Sequence, residues 1–327
     1  MAIFFAISLF IRVRLPYDGV FVGEWIKFTS NDAYRHMRLV DNLIHNFPRL
    51  HTFDPYLIYP GGSLVGSGIR FFDWLLAGIT WLIGMGTPTE RTIDIVGVYY
   101  PAVLGALTII PVYLIGKELF GRWAGVFAAG LITIMPGEFL GRSILGFTDY
   151  HIAESLFTAV IMLFLILAVK SATRIELTFG NLKRKESLKP VIYSLLSGFS
   201  LGIYLLTWQG GLLFVFIIFL YFIVQVIFEH FKGKSTDYLV IISTVVILIT
   251  TVVFLPFHFN TFYLVPLVIA LLIPFVLNRL SGFITGKKMN PAYFPPAIIG
   301  LGVVGLGLLY LIIPSSAARI VSLFSVF

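Results

Sequence analysis

The strongest constraint on the fold is a series of eight apolar stretches, at roughly 95–116, 122–138, 152–169, 190–207, 211–228, 239–257, 262–277 and 295–314. Each is close to the ~20 residues that a helix needs to cross a hydrocarbon core of about 30 Å. In lipid every backbone polar group must find its partner within the segment, and for a single run of this length that means an α-helix. A ninth, partial stretch opens the chain, where "MAIFFAISLF" runs into "IRVRLP". About eleven apolar residues at ~1.5 Å each reach only half of such a core, so this first helix reads as clipped. The expectation over residues 1–327 is an all-α polytopic membrane protein of about nine transmembrane helices, without internal repeat or soluble domain.

Composition agrees. The chain is 58% hydrophobic and 12% charged, against roughly 25% charged residues in soluble domains. Thirteen of the 23 Lys and Arg fall in four connections, "GKELFGR", "KSATRIELTFGNLKRKESLK", "EHFKGKSTD" and "NRLSGFITGKKMN". Short basic loops face the cytoplasm. The net charge of +7 is then a topology signal, and no nucleic-acid partner is expected. The opposite side receives an external loop at 14–94, a second at 137–151, "TWQGG" around Trp208, "PFHFN" around His258 and the C-terminal end. It carries most of the acidic residues. There is no cysteine, which excludes disulfides and thiolate metal sites, and no cleavable signal peptide is visible.

One stretch is ambiguous. "FFDWLLAGITWLIGMG", 71–86, has sixteen residues and places Asp73 near its start. Its shortness and that charge argue for a helix lying in the outer interface, with Trp74 and Trp81 as anchors. The point decides whether Asp32 and Asp149 share one side of the membrane.

Two ionisable clusters lie on the external side. In "TSNDAYRHMRLVDNL", 29–43, the plain reading is an amphipathic helix with Arg35, Arg38 and Asp41 facing water. The other reading makes Asp32 a ligand or an acid–base group. In "GRSILGFTDYHIAE", 141–154, Asp149 and His151 are two residues apart, on the same side of an extended segment but not of an α-helix. To grip one ion the chain must be non-helical there, which Gly146, Phe147 and Thr148 permit, with the next helix starting at about Ile152. Carboxylate plus imidazole suits Mn²⁺, Mg²⁺ (less readily with His) or Zn²⁺. Two ligands do not make a site, and Asp32 on the same face would supply a third. Taken alone, an interfacial His151 bonded to a backbone carbonyl and a snorkelling Arg142 explain these residues equally well.

The combination changes that balance. "PGEFLGRSILGFTDYH" strongly resembles the second external motif of the oligosaccharyltransferase catalytic subunit, most closely its archaeal AglB type, in which the motif is Asp-x-His. "NDAYRHMR" resembles the family's first external acidic motif. "FDPYLIYPGGS…FFDWLLAG" and "GVYYPAVLGALTIIPVYLIGKELFG" look like its first external loop and second span, and "TWQGG" like its short loop after the fifth span. The likeness runs in order over essentially the whole chain.

What the resemblance implies is a GT-C-type glycosyltransferase membrane domain in the cell membrane, with its active site on the extracytoplasmic face. The reaction would move an oligosaccharide from a dolichyl phosphate or diphosphate to the side-chain amide of Asn in an Asn-x-Ser/Thr acceptor. Asp32, Asp149 and His151 would hold the divalent cation. Asp32 would also engage the acceptor amide, Arg142 would bind peptide carbonyls or a site carboxylate, and Trp208 would contact substrate. The family's further loop glutamate and its C-terminal domain with a Trp-Trp-Asp motif have no counterpart before Phe327, and no "WWD" occurs. The chain as given is therefore expected to be an N-terminal portion that does not transfer glycans alone. Two rival readings remain at this point. One is another polyprenyl-phosphate-sugar glycosyltransferase. The other is an ion-coupled transporter relaying cations through Asp149, His151 and Glu154.

Overall fold

The computed structural model describes residues 1–47, 52–65 and 70–314. The chain divides into two compact units, Met1–Leu163 with Ile203–Gln209, and Phe164–Gly202 with Gly210–Phe327.

The first unit opens with helix α1 (Ala2–Arg14) and a single turn, α2 (Tyr17–Val20). A two-residue hairpin follows, β1 (Phe21–Val22) against β2 (Trp25–Ile26), with Phe21 opposite Ile26. Helix α3 (Asn31–Asn46) starts where the Ser30 side chain accepts from the Ala33 N–H, an N-cap that meets one of the unpaired amides of the first turn. It is strongly amphipathic and buries Met37, Val40 and Leu43. A second small pair, β3 (Phe53–Asp54) with β4 (Ser63–Leu64), lies between α3 and the next helix.

Helix α4 (Phe71–Ile83) has 13 residues, about 20 Å at 1.5 Å each, which is less than a bilayer core. It buries Phe72, Asp73, Leu76, Ala77 and Thr80. Asp73 is thus not a lone charge at an interface. Of the two expected anchors Trp81 is exposed, whereas Trp74 packs edge-to-face on Phe47 with ring centres 5.6 Å apart.

Helices α5 (Glu90–Leu107) and α6 (Ile109–Phe120) are nearly continuous. They part at Thr108 because Pro111 has no N–H for the Leu107 carbonyl, and the Thr108 hydroxyl turns back to Leu104 O at 2.9 Å. Gly121, at φ 95°, is the only residue between α6 and α7 (Arg122–Ile134). The two helices close on each other at glycines. A Cβ on Gly125 would sit 2.6 Å from Tyr113 O, and one on Gly116 would sit 2.9 Å from Gly125 Cα. Small residues permit this approach. A turn, α8 (Glu138–Gly141), leads to α9 (His151–Arg174).

The second unit contains most of α10 (Leu188–Thr207), then α11 (Leu212–Phe231), α12 (Asp237–Phe254), α13 (Thr261–Gly286) and α14 (Phe294–Ile312). Gly198 and Gly202 lie against α12 at Val246 and Val253. His230 bonds Ser281 Oγ at 2.7 Å and stacks on Phe294.

Among the described residues seven helical segments are long and apolar enough to cross a membrane: 90–120, 151–174, 185–207, 212–231, 237–254, 261–286 and 291–312. The apolar stretch that opens the sequence and the one expected at 122–138 form helices of 13 residues each, shorter than a span.

Candidate functional site

The segment between α8 and α9 is irregular from Arg142 to Tyr150, and helix begins at His151. Gly146 turns the chain with φ 82°. This is the non-helical junction that a grip by both Asp149 and His151 requires. Three bonds fix it. Gly146 N donates to Val98 O at 2.8 Å, Thr148 Oγ1 donates to Gly97 O at 2.8 Å, and Thr29 N donates to Gly146 O at 3.0 Å. The last bond ties the Asp149 segment to the start of α3, three residues ahead of Asp32.

Asp32, Arg142, Asp149 and His151 line one cavity of about 430 Å³, together with Ser30, Asn31 and Glu138. Asp32 stands exposed in the first turn of α3, whereas Asp149 is 2% exposed. His151 Nε2 lies 3.6 Å from Asp149 Oδ2, and its Nδ1 lies 3.5 Å from Glu154 Oε2. Arg142 reaches no carboxylate of the Asp149 cluster: its Nε donates to Glu138, one turn back on the cavity wall. Trp208 does not line the cavity, but stacks at 6.2 Å and 20° on Tyr150, which in turn lies 4.5 Å from the His151 ring.

Two further residues enter the cluster that sequence reasoning had not placed there. His36, 5% exposed, bonds Asp73 Oδ1 through Nδ1 at 2.6 Å, and its Nε2 faces Asp149 Oδ1 at 3.4 Å. Burial works against charge on His36, but Asp73 and Asp149 outweigh it and hold its pKa up at about 9. Burial would likewise raise the Asp149 carboxyl. The proximity and charge of His36, with His151, overcome this and keep it below the usual carboxylate range. One signal was available: His36 follows Asp32 by four residues, hence on the same helical face. Nothing local announced its pairing with Asp73.

The cluster fits a divalent cation. Asp149 Oδ1 is buried without a well-formed hydrogen bond among the described residues, and a carboxylate beside an imidazole on an open cavity is a hard-to-borderline donor set. The ligand atoms are not drawn tight, however. Among the described residues only Asp41, His45 and Glu90 bring three such atoms within 4.8 Å of one another, and that group lies on the exposed surface, with His45 Nδ1 3.1 Å from Asp41 Oδ1.

Taken together, the fold and the site define a helical, multi-pass membrane protein with an acid–histidine cluster formed by α3, α4 and the segment that leads into α9. Residues 3–281 match the family model described as "Oligosaccharyl transferase STT3, N-terminal", and the chain belongs to that family. It is 31% identical over 323 residues to dolichyl-monophosphooligosaccharide–protein glycotransferase AglB of Haloferax volcanii, covering 94% of this chain and 30% of that one. It is 31% identical to dolichyl-phosphooligosaccharide-protein glycotransferase 3 of Archaeoglobus fulgidus, covering 97% of this chain and 37% of the relative. The chain thus spans about a third of the length of these relatives, both of which are named as glycosyltransferases.

Among solved structures, the apo oligosaccharyltransferase of A. fulgidus superposes with a TM-score of 0.85 at 29% identity, over 99% of this chain and 38% of that one. Archaeal AglB from the same organism in complex with an inhibitory peptide and a dolichol-phosphate gives the same TM-score and identity, over 98% of this chain and 38% of that one. The A. fulgidus enzyme in complex with Zn and sulfate gives 0.79 at 29% identity, over 96% of this chain and 40% of that one.

Proposed function

We propose that this chain carries the donor- and metal-holding part of an oligosaccharyltransferase, which moves a glycan from a dolichyl phosphate carrier to the Asn amide of an Asn-x-Ser/Thr acceptor. The observation that carries this reading is the convergence of Asp32, Arg142, Asp149 and His151 on one cavity. Family membership supports it over a transporter or another sugar-lipid transferase, and the basic connections on the other side of the spans support an extracytoplasmic position.

A carboxamide nitrogen is a poor nucleophile because its lone pair is delocalised into the carbonyl. Asp32, exposed on the cavity wall, is free to accept an amide N–H and weaken that delocalisation. Asp149 and His151, with Asp32, would hold the cation (Mn²⁺ or Mg²⁺, with Zn²⁺ also compatible), which supplies charge stabilisation for a departing phosphate. His36 keeps Asp149 ionised and oriented. Arg142, with its planar fork, is placed to bind acceptor carbonyls once it exchanges Glu138 for peptide. Trp208 stacks on Tyr150 beside His151 and would contact substrate from behind that ring.

The test is manganese titration of the purified chain. Asp149→Asn and His151→Ala should each weaken binding by about tenfold or more, while Asp41→Asn with His45→Ala should change it little. A second reading, carried by the Asp41, His45 and Glu90 group, makes the opposite forecast. Loss of the ion from the Asp41/His45 variant, with Asp149→Asn unaffected, would move the metal to that rim and overturn the assignment.

A further inference from the structure

At the end of α1 a cation is buried where a hydrophobic side chain would be expected. Arg12 is 0% exposed, and among the described residues no carboxylate lies within ion-pair distance of it. Its guanidinium reaches two places far apart in sequence. Nη1 donates to Thr133 O at 3.1 Å and to Ser8 Oγ at 2.6 Å, and Nε donates to Ser143 Oγ at 2.9 Å. The backbone joins in, since Leu145 N donates to Arg12 O at 2.9 Å. The plane lies 5.1 Å from the centre of the Phe139 ring, and Nη2 has no partner among the described residues. Gly105 leaves the room: a Cβ there would come within 2.7 Å of both Arg12 Nε and Ser143 Cβ.

Burying a charge without a counter-ion is unfavourable, and exchange of buried ionic groups for apolar ones of similar size is often neutral or stabilising. Stability of the core therefore gives no reason for an arginine here. What the fork does is close a loop. Thr133 is in the last turn of α7, and Ser143 and Leu145 lie at the far end of the segment that follows. Between these anchor points sits the turn that presents Glu138 and Arg142 to the cavity, and four residues past Leu145 comes Asp149. One side chain thus grips both ends of the segment.

We propose that Arg12 is a positioning residue: it locks the two ends of the 135–145 segment in register so that Asp149 and Arg142 face the cavity. The inference rests on the metal reading of Asp149. A lysine would carry the charge, but its single ammonium cannot reproduce a fork across Thr133 and Ser143.

The experiment measures thermal stability and Mn²⁺ affinity side by side, on the purified chain and on Asp149→Asn, Arg12→Met, Arg12→Lys and Ser143→Ala. Groups that orient ligands typically change metal affinity by about 10–100-fold. Arg12→Met should melt no lower than the unaltered chain yet bind Mn²⁺ about tenfold more weakly, a split that a purely structural role does not produce. Arg12→Lys should fail to restore affinity. Ser143→Ala, which keeps the cation but removes the Nε acceptor, covers the case in which Arg12→Met does not fold, and should weaken binding threefold or more. Affinity within threefold of the unaltered chain in Arg12→Met, or in Ser143→Ala where that variant stands in, overturns the proposal. If Asp149→Asn binds Mn²⁺ normally, the metal reading itself falls and takes this inference with it.

Discussion

Asp73 shows how much a single carboxylate can mean once its partner is known. In the sequence it is a charge near the start of an apolar helix. In the fold it is 1% exposed and pairs with His36, which in turn faces Asp149. Removing Asp73 leaves a buried, charged His36 facing Asp149 alone, and breaking a buried pair in this way costs about 3–5 kcal/mol. Asp73→Asn should therefore lower the unfolding free energy by roughly that much. Unfolding in detergent measures it, and a change below about 1 kcal/mol would show that His36 is neutral in the native protein. The same residue marks a limit of sequence reading. Asp149, His151 and the irregular backbone between them follow from spacing and a nearby glycine, because the constraint is local. The His36–Asp73 pair joins residues 37 apart and leaves no local pattern.

At the level of elements, glycine placement decides how α6 and α7 pack. The side of Gly125 facing α6 is filled by Tyr113 O and Lys117 N. Neither backbone atom can turn aside as a side-chain tip would. Gly125→Ala should destabilise the hairpin by about 1–3 kcal/mol, the usual range for overpacking, with a matching fall in melting temperature. Gly130→Ala is the control, since a Cβ there meets only ordinary contacts with the Phe4 ring at 3.5 Å. Equal effects of the two would remove close helix approach as the cause. Helix existence was legible throughout this region from apolar runs, but helix length was not. The run at 122–138 yields 13 residues of helix because Pro136 and Gly137 end it early, ahead of the segment that carries Arg142 and Asp149. In the sequence Arg12 is one of two arginines in "IRVRLP", just past the opening apolar stretch. Its burial depends on Thr133 and Ser143, far along the chain, and no windowed reading of the sequence brings those together.

For the whole molecule the decisive question is sidedness. The site needs the first and second external loops on one face, and hence α4 must not cross. Because the chain has no cysteine, single cysteines report cleanly on sidedness. Of the two positions best suited to bracket α4, Ser67 lies outside the described residues, while Thr89 caps α5 through its hydroxyl at 3.2 Å from Thr92 N. A cysteine at Thr89 should react with a membrane-impermeant reagent from the same side as one at Asn31, and a cysteine at Lys287 from the opposite side. Labelling of Thr89 together with Lys287 would separate Asp32 from Asp149 and dismantle the site. The shared cavity and the length of α4 both argue for the first outcome.

The bond from Thr29 N–H to Gly146 O has a consequence for engineering. It joins the segment before α3 to the one before α9 backbone to backbone, whatever side chains they carry, so they form one inheritable block rather than two exchangeable modules. A chimera that takes its first loop from one relative and its second from another must reproduce this register before any difference in their cavity residues can be compared. Transplanting residues 14–94 together with 137–151 keeps the bond intact, and donor loops are best chosen in such matched pairs.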